Sequence, residues 1–168
     1  MSVAIPIHIF NYQDVYFHKP VHNIIINNSK FIRTIYSNGL VTMNNICLEV
    51  PFVIHHSNRN RFFFDMRNNH RVVVFLLQME ENILARSGIS GKTPCRKLAQ
   101  QLEMGCLKIF TCVDEKVPTP PILLKISGVW ESESEYGVTF KFVFGLPVGD
   151  EVCHNSVHDG DKYQVQHR

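Results

Sequence analysis

Long apolar runs are missing from this chain of 168 residues. The longest, such as Val72–Leu77 and Pro120–Leu124, fall far short of the roughly 18 residues a membrane-spanning helix needs, so no membrane partner is expected. The run Val3-Ala4-Ile5-Pro6-Ile7 lacks a basic leader, a long apolar centre and a small-residue cleavage site, and does not read as a signal peptide. CxxC pairs are also missing. The five cysteines, Cys47, Cys95, Cys106, Cys112 and Cys153, leave one over after pairing, which argues against a disulfide framework and a four-cysteine zinc site. Reduced thiols in an intracellular compartment, cytoplasm or nucleus, are the expectation, with the Asn27-Asn28-Ser29 sequon left unglycosylated. Internal repeats and low-complexity tracts are absent, which excludes solenoids and propellers. With 45% hydrophobic and 19% charged residues, the composition is that of a globular domain and not of a disordered chain or coiled coil.

A net charge of +2 hides a division along the chain. Residues 1–97 hold 11 Lys and Arg against 5 Asp and Glu, a balance of +6, while residues 98–168 hold 6 against 10, a balance of −4. Such a split suits a surface that attracts a polyanion, although charges scattered over an ordinary folded surface would give the same totals.

The hydrophobic period changes twice. Residues 30–37 alternate and are rich in β-branched and aromatic types, and Ser37-Asn38-Gly39 turns the chain into residues 40–43. Further strands are expected at Ile46–Val53 and Arg61–Phe64, separated by a polar loop His55–Asn60. From Val72 the spacing becomes helical through Phe75, Leu76, Met79, Ile83 and Leu84, which predicts a helix of about 17 residues, capped by Asn68 or Asn69 and closed by Gly88. A second helix is expected with Thr93 as N-cap, Pro94 at its first position, Leu98 and Leu102 inward, and Gly105 after its end. Period two returns at Cys106–Val113, then at Ile122–Trp130 and Val138–Phe144, where Val138, Phe140, Phe142 and Phe144 face a core and Thr139 and Lys141 face out. The chain is thus expected to be mostly β: one domain over residues 1–146 with a helical insertion at about 69–104, and a polar, partly acidic tail at 147–168.

Catalytic motifs find little support. Ser87-Gly88-Ile89-Ser90-Gly91-Lys92-Thr93 imitates a phosphate-binding loop, but Arg86 stands where that motif needs glycine, and the segment follows a helix, not a strand. Cys153, His154, His158, Asp159 and Asp161 lie in the polar tail, where such spacing is usually chance, and Pro20 spoils a helical pairing of His18 with His22. His55 and His56 read as solvated loop residues. Asp114-Glu115-Lys116 has the residue types of a magnesium-dependent nuclease but sits in a proline-rich loop, and Glu131, Glu133 and Glu135 sit in a turn. No enzyme, metal or cofactor is expected.

What remains is cations interleaved with aromatics, the combination by which single-strand binders track phosphates and stack bases. The candidates are Lys30, Arg33, Tyr36, Arg59, Arg61, Phe63, Lys108, Phe110, Lys125 and Lys141. The plainer account is that the rings are core and the lysines keep an exposed face soluble.

Several segments in order carry a resemblance: Phe31–Ser37 followed by Met43-Asn44-Asn45-Ile46; Met79–Leu84; Gln101–Phe110; and Leu124–Glu131 leading to Tyr136–Phe142. The sequence resembles the OB-fold single-stranded-DNA-binding proteins of large DNA viruses of eukaryotes and related mobile elements, a group similar to phage replication proteins. That resemblance implies an antiparallel barrel with helices between its third and fourth core strands. It also implies a non-catalytic role supporting replication or recombination in an infected host cell, on single-stranded DNA or, alternatively, RNA. Self-association is an option, and replication proteins would dock on the tail, yet Gln166-His167-Arg168 departs from an acidic-aromatic terminus. Two rival readings are a viral structural or host-interaction β-domain and a small metal-dependent nuclease.

Overall fold

Alternation along the apolar segments produces strands, and the one long stretch of helical spacing produces the principal helix. A computed structural model describes residues 4–24, 28–109 and 120–145. In chain order it contains β1 (Ile5–Pro6), β2 (Val15–Phe17), β3 (Val21–His22), β4 (Lys30–Ser37), β5 (Thr42–Met43), β6 (Ile46–Glu49), β7 (Ile54–Asn58) and β8 (Arg61–Phe64). There follow α1 (Met66–Arg86), β9 (Thr93–Cys95), α2 (Lys97–Glu103), β10 (Cys106–Lys108), β11 (Ile122–Glu131) and β12 (Glu135–Phe144). The fold is mostly β, with the helices between the early and late strands.

A nine-stranded sheet is centred on β11. One edge of β11 pairs with β12 along its length. The other edge is shared, its first half pairing with β6 and its last residues with β4. Gly128 permits that change of partner: a Cβ there would lie 2.2 Å from the Ile32 carbonyl oxygen. A second sheet runs β10-β8-β7. The two sheets are not closed into a barrel; among the described residues a single parallel bridge, Ile109 to Phe142, joins them.

Inward residues of both sheets and both helices form one apolar cluster, with Ile126, Leu124, Leu76, Leu98, Leu102 and Leu107 fully buried. At about 1.5–3 kcal/mol for each large side chain removed from water, this cluster is the main stabilising term. Val138, Phe142 and Phe144 are buried in it and Phe140 packs against it, while Thr139 and Lys141 are exposed, as alternation requires.

Three local expectations are corrected. Residues 55–58 are not loop but belong to β7, the exposed outer strand of the small sheet, whose turn holds Arg59 at φ 54°. The helix expected from Asn68 or Asn69 begins at Met66, because the Asp65 side chain accepts from the Arg67 N–H and caps it. Asn69 is buried instead, donating to the Val53 and Asp65 carbonyls and accepting from the Val53 N–H. Thr93 and Pro94 do not start a helix: they lie in β9, which pairs parallel with β12 at Glu135–Gly137. Glycines close both helices as expected, Gly88 at φ 77° and Gly105 at φ 61°.

Candidate nucleic-acid interface

The short helix α2 has no side-chain cap of its own from Arg96. A carboxylate 18 positions earlier supplies one: Glu80, only 1% exposed on α1, accepts from the Leu98 and Ala99 N–H groups at 3.0 and 2.8 Å. Burial pushes the Glu80 carboxyl above its usual range, with those two amides and Arg96 partly opposing. Beside it Arg96 grips Glu81 through two bonds of 2.7 and 3.1 Å, which hold the Glu81 carboxyl below its usual range. These contacts hold the start of α2 against α1.

The pairing of β12 with β9 ends at Gly137, and the bridge to Ile109 comes at Phe142. Between them, among the described residues, the outer edge of β12 has no strand partner. A groove of about 550 Å³ lies along this gap, between α2 and β12. Its lining includes Lys97 from α2, Lys108 from β10 and Lys141 from β12, with Trp130, Phe140 and Met104, and no acidic residue among them. Trp130 can lie across the sheet because its neighbour on β12 is Gly137, where a Cβ would stand 2.9 Å from the indole. The Lys97 ammonium is 5.5 Å from the indole centroid, a cation held over a ring face.

Two cation pairs extend the groove on either side. Lys125 and Lys141 are direct cross-strand partners on β11 and β12, and alternation places both on the outer face, where the row from Thr139 through Gly128 adds Arg33. Arg61 and Lys108 are likewise opposite one another on β8 and β10. Next on that face Phe63 stacks on His56 with centroids 5.5 Å apart. Among the described residues none of these cations forms an ion pair with a carboxylate; the salt bridges are Lys92–Glu131 and Arg96–Glu81. Like charges placed directly opposite on paired strands destabilise by about 0.2–1 kcal/mol, a cost that a bound anion would remove.

The structure thus brings together Arg33, Arg61, Phe63, Lys108, Lys125 and Lys141, with Lys108 and Lys141 joining the sheet faces to the groove. Lys30 lies elsewhere, in a mixed-charge cleft with Lys92, Glu131 and Glu133. Arg59 is exposed at the hairpin tip. Tyr36 is a correction: it is fully buried, stacked on Phe10 at 5.3 Å, and its hydroxyl donates to Asp14 at 3.4 Å, so it offers no ring to a ligand. Phe110, the acidic loop at 114–116 and the tail at 147–168 lie outside the described residues. Lys97, Trp130 and Met104 were not among the sequence candidates. The chain's single tryptophan, five residues after Lys125, was the signal available.

The imitation of a phosphate loop resolves into other roles. Ser87 and Gly88 end α1, while Lys92 is held by Glu131 at 2.7 Å and donates to the Ser132 carbonyl at 2.6 Å. Among the described residues no three His, Cys, Asp or Glu side chains gather as a metal-holding group, and no helix is long and apolar enough to cross a membrane.

No protein-family model, curated protein or solved structure matches this chain.

Proposed function

We propose that this chain is a non-catalytic, sequence-tolerant binder of single-stranded DNA. The observation that carries the reading is the groove beside β12, where ammonium groups from three different elements meet Trp130 and Phe140 with no carboxylate in the lining. Cations follow a phosphodiester chain and ring faces accept any base, so such a surface binds a strand with little regard to sequence. A phosphate entering between Lys97 and Trp130 would draw the ammonium away and leave the indole face to a base. The unneutralised pairs Lys125–Lys141 and Arg61–Lys108 give the strand a path beyond the groove on both sides.

An OB-type relationship belongs to this proposal. Its support is the course of the chain, with strands, then helices, then strands, and the approach of β10 to β12 at the Ile109–Phe142 bridge. Support of replication or recombination inside an infected cell, with replication proteins as partners, is proposed on the resemblance alone.

The test is a titration of a labelled oligonucleotide, single-stranded and duplex, at several salt concentrations. Single-strand affinity that falls with salt, and falls less steeply for Lys108→Ala and for Lys125→Ala, is the expected result. No measurable single-strand affinity at low salt would overturn the proposal, and magnesium-dependent cleavage would replace it with a nuclease.

A further inference from the structure

The solvated face of an antiparallel sheet is ordinarily polar, and the outer face of the large sheet departs from that around β4. Directly opposed residues point to the same side, so the register sets Val21, Phe31 and Trp130 in one row across β3, β4 and β11. Arg33 takes the next outward position on β4, and Ile35, opposite Tyr16 on β2, the one after. Phe31, Ile35 and Trp130 take no part in the core cluster, while Val21 and Tyr16 are 58% and 54% exposed. Glycines give the two large rings their beds. A Cβ on Gly128 would come 2.7 Å from the tip of the Phe31 ring, much as one on Gly137 would meet the Trp130 indole, so each ring lies across the neighbouring strand and stays partly exposed.

The charged side chains in these rows, Arg33 with the adjoining Lys125 and Lys141, are all cations. A second copy of the chain suits this face poorly, because a face that meets itself brings like charges together. A polyanion that carries flat rings suits it well, and the face is continuous with the groove, sharing Trp130 and Lys141 with it. We propose that a single strand leaving the groove crosses this outer face, stacking one base on Phe31 beside Trp130 and a later base on Tyr16, with Arg33 meeting the phosphate between them. This rests on the single-strand reading above and extends it to side chains outside the groove. Neighbouring strands lie about 4.8 Å apart, so Trp130 and Phe31 serve adjacent bases. From Phe31 along β4 to Ile35 and across to Tyr16 is about 14 Å, at about 3.3 Å per residue and about 4.8 Å per strand. A strand rising about 3.4 Å per nucleotide covers that in about four nucleotides, and an extended one in fewer.

The experiment measures binding of oligothymidine of about 15 nucleotides, a length spanning a typical site, to the full chain by fluorescence anisotropy. Because the Tyr16 ring stands outside the core, Tyr16→Ser is expected to melt close to the wild type. Its affinity is expected to fall about five- to a hundredfold, the worth of one base stacked on a ring, with the salt slope unchanged. Tyr16→Phe, which keeps the ring, is expected to bind as the wild type does. Arg33→Ala is expected to flatten the salt slope by about 0.7. Unchanged affinity in Tyr16→Ser overturns this path and leaves the single-strand reading standing, since the wild type still binds. An equal loss in Tyr16→Phe would assign the effect to the hydroxyl and overturn the stacking role. No binding by the wild type overturns both readings.

Discussion

Replacing Glu80 with alanine tests whether the groove is held in shape from within the core. The side chain is 1% exposed and accepts two backbone N–H groups at the start of α2. Glu80→Ala leaves the Leu98 and Ala99 donors unpaired, and each such loss costs about 1–2 kcal/mol, so the sum is about 2–4 kcal/mol. No local substitute exists: Arg96 provides no side-chain cap, and a helix of seven residues is marginal without tertiary support. At this chain length each kcal/mol moves the melting temperature by about 2–4 °C, giving a fall of roughly 4–16 °C. Because α2 carries Lys97, Gln101 and Met104 into the groove, oligonucleotide affinity should fall with it. Glu80→Gln gives a finer test through pH. Burial raises the folded-state value of Glu80 above the ordinary 4.5, so its favourable contribution is fully present below about that pH and is lost as pH rises through the raised value. The stability advantage of the wild type over Glu80→Gln should therefore shrink with rising pH across that window. A melting temperature for Glu80→Ala within about 1 °C of wild type would refute the argument, since it would mean that the two amides do not depend on this carboxylate.

Lys97→Ala, Lys108→Ala and Lys141→Ala should each weaken single-strand binding and reduce the slope of log affinity against log salt by about 0.7, measured by anisotropy; unchanged slopes would remove these side chains from the phosphate path. Gly137→Val should displace the indole that a Cβ would approach to 2.9 Å, shifting the emission of the only tryptophan and lowering affinity. An unaltered spectrum would count against the placement of Trp130. Tyr36→Phe removes the hydroxyl that donates to Asp14 and should cost about 1–3 kcal/mol of stability while leaving affinity intact, because the ring is buried; a large loss of binding would contradict its assignment to the core.

How far the sequence revealed this fold depended on whether each signal was local. The strands at Lys30–Ser37 and Arg61–Phe64 have the expected bounds, the first because Ile32, Thr34 and Tyr36 are buried in alternation with more open residues. The outer strand Ile54–Asn58 gave no such signal: exposed beyond Ile54, it carries polar residues throughout and reads as loop. The start of α1 was obscured by Asn69, a polar residue at a buried position satisfied by the distant Val53 backbone. Thr93-Pro94 has the chemistry of a helix start, but its pairing with β12 and the capping of α2 by Glu80 join residues far apart in the chain. Of the site, the cations on strands were legible from alternation. Parity could also have separated Tyr36, which shares a face with Ile32 and Thr34, from Arg33. Lys97 and Gln101 were invisible because they reach the groove only through the packing of α2 against β12.

Trp130 is the chain's single tryptophan and stands in the proposed groove, so its fluorescence reports on the central claim directly. In a titration at low salt, single-stranded DNA is expected to quench this emission saturably, with reversal on adding salt, while duplex of the same sequence produces a much smaller change. No change with single strands, or equal quenching by duplex, would contradict the account.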